Sequence, residues 1–214
     1  MSRTAQTVKA ARVYNASGRK ERARQQHAAT LDAAGSRFLE LGYAGTTVES
    51  IADAANVSAA TVYKSYGGKA GLVRALCERA LAGVGPVPAE ERSNALRSAT
   101  DPRAVIEGWG KLTAEVSPRV APLLLLLGAA AQADPEAAAL HDELDRARLA
   151  RMADNARYQH RAGHLRPGVT ARDAADVLWL CSSPELYELL IRRRGWSVAK
   201  YSRFVADTMI KALL

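Results

Sequence analysis

The chain has 214 residues, 48% of them hydrophobic, with 30 Lys/Arg against 22 Asp/Glu for a net charge of +8. That length leaves room for one large or two small domains with a proper core. The leader is charged throughout and lacks an apolar centre, which excludes a secretory signal, and the most apolar run, Val120 to Ala131, is too short to cross a bilayer. Cys77 and Cys181 have neither metal-ligand nor redox-motif spacing. They read as small buried hydrophobes in a reducing, cytoplasmic compartment.

The positive charge is concentrated at the front. Residues 1–82 hold 12 Lys/Arg against 6 Asp/Glu, and residues 83–214 hold 18 against 16. Residues 1–19 read as a flexible basic arm. Arg3, Lys9, Arg12, Arg19, Lys20, Arg22 and Arg24 oppose only Glu21, a composition suited to solvent or to phosphates. A first helix is expected from Lys20 to Leu41, ending at Gly42, with Leu31, Ala34, Phe38 and Leu41 inward. Thr46 and Glu49 have capping-box spacing, so a second helix should start near Val48, with Val48, Ile51, Ala52 and Ala55 along one face. Asn56 tolerates the left-handed backbone that ends a helix. Val57 should point inward, and Ser58 is a good N-cap for a short helix from Ala59 to Tyr66. Gly67 and Gly68 end it, and Lys69 begins another helix, to Ala82, with Leu72, Leu76 and Ala80 inward. Two short helices joined by a tight turn make a helix-turn-helix, whose second helix enters the major groove. Its groove-facing candidates are Ser58, Ala59, Thr61, Tyr63 and Lys64.

The Gly/Pro-rich run from Gly83 to Pro88 marks a domain boundary, giving 20–83 as a DNA-binding domain and 84–214 as a second, helical domain. Asp101-Pro102 and Asp134-Pro135 read as N-caps followed by proline at the first helical position. Thr170 with Asp173, and Ser182 with Glu185, have capping-box spacing. Helices are therefore expected over about 102–116, 121–132, 135–162, 171–181, 184–194 and 198–213, and the fold class is all-α. His160 and His164 stand four apart without the Glu of a metalloprotease helix, so they mark a solvated helix end and no metal. Arg192-Arg193-Arg194 suits a helix C-terminus. No nucleophile elbow, phosphate loop or di-iron spacing appears, so no enzymatic activity and no cofactor is expected.

Phe38, Gly42, Tyr43, Thr46, Thr47, Val48, Ile51, Ala52, Ala55, Val57, Ser58, Thr61, Tyr63, Tyr66, Lys69 and Leu72 together resemble the DNA-binding domain of the TetR family of bacterial transcriptional repressors. The family often has Gly where Ala60 stands, an aromatic where Ser65 stands and Glu where Ala70 stands. The run from Leu165 to Leu214 also resembles the C-terminal end of many family members. The resemblance implies phosphate contacts from Thr47, Tyr63 and Lys69, and recognition-helix contacts from Thr61 and Lys64. It implies a homodimer on a palindromic double-stranded operator, joined through the last two long helices. Ala174, Val177, Leu178, Cys181, Tyr201, Val205, Thr208, Met209 and Leu213 would form that interface, unless they bury within one subunit. It also implies a small-molecule effector among the central helices, which releases the protein from DNA. Trp109, Leu112, Leu124, Met152, Tyr158 and Trp179 are candidate lining residues, or plain core, and the uncharged inward stripes favour an apolar or aromatic effector. The competing reading is an all-helical ligand-binding or interaction protein without specific operator binding.

Overall fold

The computed structural model describes residues 4–83 and 85–214, with side chains from Gly18 onward. The described residues are helical with no strand, and the chain divides into two compact units, Met1–Ala75 and Leu76–Leu214.

In the first unit α1 runs Thr4–Gly45, with Gly42 in non-helical, positive-φ backbone (φ 73°). The expected flexible arm is therefore helical backbone from Thr4, although the basic side chains before Gly18 lie outside the described residues. Leu31, Ala34 and Phe38 are buried as expected, but Leu41 is 50% exposed. The break at Gly42 turns the chain so that Tyr43 enters the core instead, stacked on Phe38 with ring centroids 5.7 Å apart. α2 spans Val48–Ala54, α3 Ala59–Tyr66 and α4 Lys69–Ala82, the last carrying the chain into the second unit.

The cap of α2 differs from the expected capping box. Thr47, not Thr46, is the N-cap, its hydroxyl accepting from the Ser50 N–H at 3.1 Å. Thr46 is buried, and its hydroxyl donates toward the carbonyls of Arg37 (3.0 Å) and Gly42 (2.7 Å), tying down the frayed end of α1. Asn56 takes the left-handed conformation (φ 53°), and Ser58 caps α3 by accepting from Thr61 N–H at 3.1 Å. Gly71 permits a close helix approach, since a Cβ there would sit 1.6 Å from the Tyr66 carbonyl oxygen.

In the second unit α5 (Ala89–Ala95) precedes a 3₁₀ turn (Leu96–Ser98) and α6 (Pro102–Ala130). α7 (Pro135–Arg161), α8 (Ala171–Cys181), α9 (Pro184–Tyr187) and α10 (Val198–Leu213) follow. Asp101, Asp134 and the Thr170–Asp173 capping box start their helices as expected. The two helices expected over 102–116 and 121–132 are a single helix. Pro118 and Pro122 sit inside it and each costs about 3 kcal/mol in a helix interior. Burial of Val105, Ile106, Trp109, Leu123 and Leu127, at roughly 1.5–3 kcal/mol for each large side chain, outweighs that cost.

By length and composition α6 could cross a bilayer, but here it forms the centre of the second core. Gly110 lets α10 approach closely, a Cβ there meeting Ala206 Cβ at 2.8 Å. Ser183, not Ser182, caps α9, accepting from Leu186 N–H at 3.2 Å. The helix then widens into π geometry over Glu188–Arg193, where the Glu188 carboxylate pairs with both Arg192 and Arg193.

Candidate nucleic-acid interface

α3 is a short helix held by one deeply buried side chain, Val62, while Thr61, Tyr63 and Lys64 are exposed. Ser58 sits exposed at its start, with its oxygen 2.8 Å from that of Thr61. The cap therefore presents two hydroxyls together at the end of the helix that would enter a groove. Ala59 is half-buried and Ala60 exposed, so the N-terminal turn carries no bulk that would keep a duplex away. Tyr63 is 49% exposed and can offer its phenol to a phosphate. Thr47, exposed at the start of α2, adds a second capped N-terminus with its positive dipole end.

Lys69 is the expected contact that the fold already uses. Its Nζ donates to the Tyr43 carbonyl at 2.9 Å and lies 4.4 Å from the Tyr43 ring centroid. An ammonium has three N–H donors, so two are left for a phosphate at the same point. Tyr66 is half-buried, its ring 5.1 Å from that of His27. Sequence reasoning missed Ala60, which is exposed on α3 and whose small side chain gives no periodic signal.

The second unit encloses a cavity of about 750 Å³. Trp109, Leu112, Leu124 and Met152 line it, as does Leu81 near the end of α4. A second cavity of about 390 Å³, which includes Trp179, shares Leu124, Arg148 and Pro184 with the first. Tyr158 lines neither. Its hydroxyl donates to the Arg97 carbonyl and its ring meets that of His164 edge-on. Ser93 and Asn155 are polar lining residues that sequence reasoning missed, because α5 has too few apolar positions to show a period.

An ion-pair network fixes α5 and its 3₁₀ turn to α7. Arg97 bonds Asp154 and Asn155, and Arg151 bonds Asn94 at 2.8 Å and pairs with Glu90. The hydrogen bond from Arg97 holds the Asp154 carboxyl below its ordinary value, while burial lowers that of Arg151.

The expected dimer residues fall differently. Ala174, Leu178, Cys181, Tyr201, Val205, Met209 and Leu213 are all buried within the single chain. They belong to its own core because the inward stripes of α8 and α10 face α6 and each other. Only Val177 and Thr208 remain part-exposed. The outward apolar residues of these helices include Leu180, 60% exposed, and Phe204, 39% exposed. His164 Nδ1 is 2.8 Å from Gln159 Oε1, and among the described residues no cluster of His, Cys, Asp or Glu could hold a metal.

The capped, exposed recognition helix on a small helical domain, followed by a larger helical unit, defines a helix-turn-helix DNA-binding regulator. Residues 31–76 match the family model of the bacterial regulatory proteins, tetR family. Those residues thus carry a DNA-binding domain of the tetR-family type.

Solved structures share the fold over nearly the whole chain. NalD, the secondary repressor of the MexAB-OprM multidrug efflux pump in Pseudomonas aeruginosa, superposes with a TM-score of 0.71 at 22% identity, covering 91% of this chain and 98% of that one. SmeT in its triclosan complex gives 0.69 at 19%, covering 88% and 91%. FadR from Bacillus subtilis with stearoyl-CoA gives 0.69 at 16%, covering 88% and 100%. No curated protein matches the chain.

Proposed function

We propose that this chain is a dimeric, ligand-responsive repressor that docks α3 of each subunit into successive major grooves of an operator. The observation that carries this reading is the exposed edge of α3, where Ser58, Thr61, Tyr63 and Lys64 stand free of the core while Val62 anchors the helix. Thr47 and Lys69 flank that edge as phosphate contacts. A twofold protein would place two such helices about 34 Å apart, one duplex turn. With the expected interface residues buried, the dimer face falls to Leu180 on α8 and Phe204 on α10, with part-exposed Val177 and Thr208 beside them.

Effector control runs through α4, which supplies Lys69 at its start and Leu81 and Ala82 to the cavity wall at its end. An effector that fits the cavity better when α4 has shifted favours the state that cannot bind DNA, and DNA disfavours the effector by the same factor. The related fold of NalD, the secondary repressor of a multidrug efflux pump, of SmeT in complex with triclosan and of the transcriptional regulator FadR in complex with stearoyl-CoA supports this reading. Two buried cysteines, neither in a disulfide, fit a cytoplasmic setting.

Fluorescence anisotropy on a duplex recovered by selection tests the docking. Tyr63→Ala and Lys69→Ala are each expected to weaken binding to every sequence by tenfold or more, and Lys69→Ala to reduce the salt slope by about one. Unchanged affinity in both variants would remove the phosphate-contact assignment.

A further inference from the structure

Among the charged residues that line the cavities of the second unit, carboxylates outnumber guanidinium groups even though the chain as a whole is basic, with a net charge of +8. The two adjoining cavities are lined by Glu78, Glu90, Asp145, Asp154 and Glu185 against only Arg148 and Arg151. Charges farther away than about 8 Å are screened at physiological salt, so these local groups set the sign a ligand meets.

Both guanidinium groups are committed internally. Arg148 donates to the Trp179 carbonyl (2.6 Å), to Ser182 Oγ (3.2 Å) and to Asp145 (2.6 Å), and stacks over the Trp179 ring. Its Nε–H has no partner and is sealed from the cavity surface, so it offers a ligand nothing. Arg151 is held by Asn94 and Glu90. Three of the five carboxylates answer these arginines and Arg97. Glu78 and Glu185 have no ion-pair partner among the described residues, and both are exposed at the cavity margins.

Thr113, Val116, Ser117, Val120 and Ala121 of α6 line the larger cavity. Ser117 spends its own proton on the Thr113 carbonyl at 2.7 Å. An anion would meet these carboxylates and two arginines already held internally. A cation with a large apolar body would meet Trp109, Leu112 and Met152 in the larger cavity and the unpaired carboxylates of Glu78 and Glu185 at the margins of the two cavities.

We infer that the effector is a lipophilic cation, its apolar body filling the larger cavity and its positive charge drawn to the rim at Glu78 and Glu185. The inference rests on the proposed function, and it fixes the chemical class of the ligand at that same site.

Two ions of near-identical shape and opposite charge test it. Tetraphenylphosphonium and tetraphenylborate are titrated into the full-length protein by calorimetry, and each is then added to the complex with a selected duplex. The phosphonium is expected to bind at least tenfold more tightly than the borate and to release the duplex. The double variant E78Q/E185Q should weaken phosphonium binding by about 3–10-fold, the scale of two exposed charge pairs, without changing the helical circular dichroism or weakening borate binding. Borate binding as tight as phosphonium binding, or no binding of either ion, would overturn the charge assignment. Borate that binds and releases the duplex would do so while leaving the proposed function standing. Phosphonium that binds in the expected order but leaves the duplex bound would support the charge assignment and count against ligand-controlled release.

Discussion

Two threonines and a serine in the first unit divide the work of its two turns. Thr46 locks the end of α1, Thr47 caps α2 and Ser58 caps α3, and only the last two are exposed. Their substitutions should separate accordingly. Thr46→Val removes a buried donor from two carbonyls and should cost about 1–3 kcal/mol of stability by chemical denaturation. Thr47→Ala should cost about 1 kcal/mol through the lost cap and, beyond that, weaken DNA binding. Equal stability losses with no change in DNA affinity would return Thr47 to a purely structural role. The T-x-x-E spacing pointed to a cap in the right place and named the wrong threonine. What decides between neighbours is which one faces the end of α1, a tertiary fact that spacing does not hold.

Among the helices, glycines set how closely neighbours pack. Gly71→Ala would bring a Cβ to 1.6 Å from the Tyr66 carbonyl oxygen, a clash with backbone that has no flexible end to move. This change is expected to unseat the start of α4 and abolish DNA binding, with a Tm several degrees lower in thermal unfolding. Gly110→Ala meets Ala206 at 2.8 Å and should cost about 1–3 kcal/mol, the usual range for overpacking a core. A variant at Gly71 that kept both Tm and affinity would show that the close approach is dispensable.

Helix starts were the most legible feature of the sequence. Asp101, Asp134, Thr170 and Ser58 each combine a capping side chain with a proline, an acid or a hydroxyl at a fixed offset. Helix continuity was not legible, because Pro118 and Pro122 read as breaks while the burial that overrides them comes from α7 and α10. α5 was invisible for the opposite reason. Only Ala89 and Ser93 bury, which is too few to make a stripe. On the candidate site, the exposure of Ser58, Thr61, Tyr63 and Lys64 followed from local pattern. The dimer residues did not, since inward and outward stripes of an amphipathic helix look alike until a partner helix is placed.

At the scale of the whole molecule, the buried titratable groups set where the fold fails with pH. Burial pushes the Cys181 thiol from 9.0 to about 11 and the Tyr201 phenol from 10.0 to about 12. Both folded-state values lie above the unfolded ones. Their contribution is therefore complete below pH 9 and is lost as pH rises through 11 and 12. Denaturation midpoints should fall steeply across that window, and C181A should flatten its lower half. Asp154 and Glu115 act at the other end. Hydrogen bonds from Arg97 and Arg92 lower their values, so their part of the stability is present at neutral pH and disappears as pH falls through the folded values.

Charge also divides the chain, with 12 Lys/Arg against 6 Asp/Glu before residue 83 and near balance after it. That distribution gives the DNA-binding end a salt-sensitive, sequence-independent attraction, and the proposed docking of α3 would add selectivity to it. The most direct measurement is a selection of bound sequences from a random duplex pool at near-physiological salt, with protein refolded away from any carried ligand. The account predicts enrichment of an inverted repeat with half-sites about one duplex turn apart. Retention of duplex without any enriched sequence would contradict it, and would leave an all-helical ligand-binding protein whose basic end holds nucleic acid without reading it.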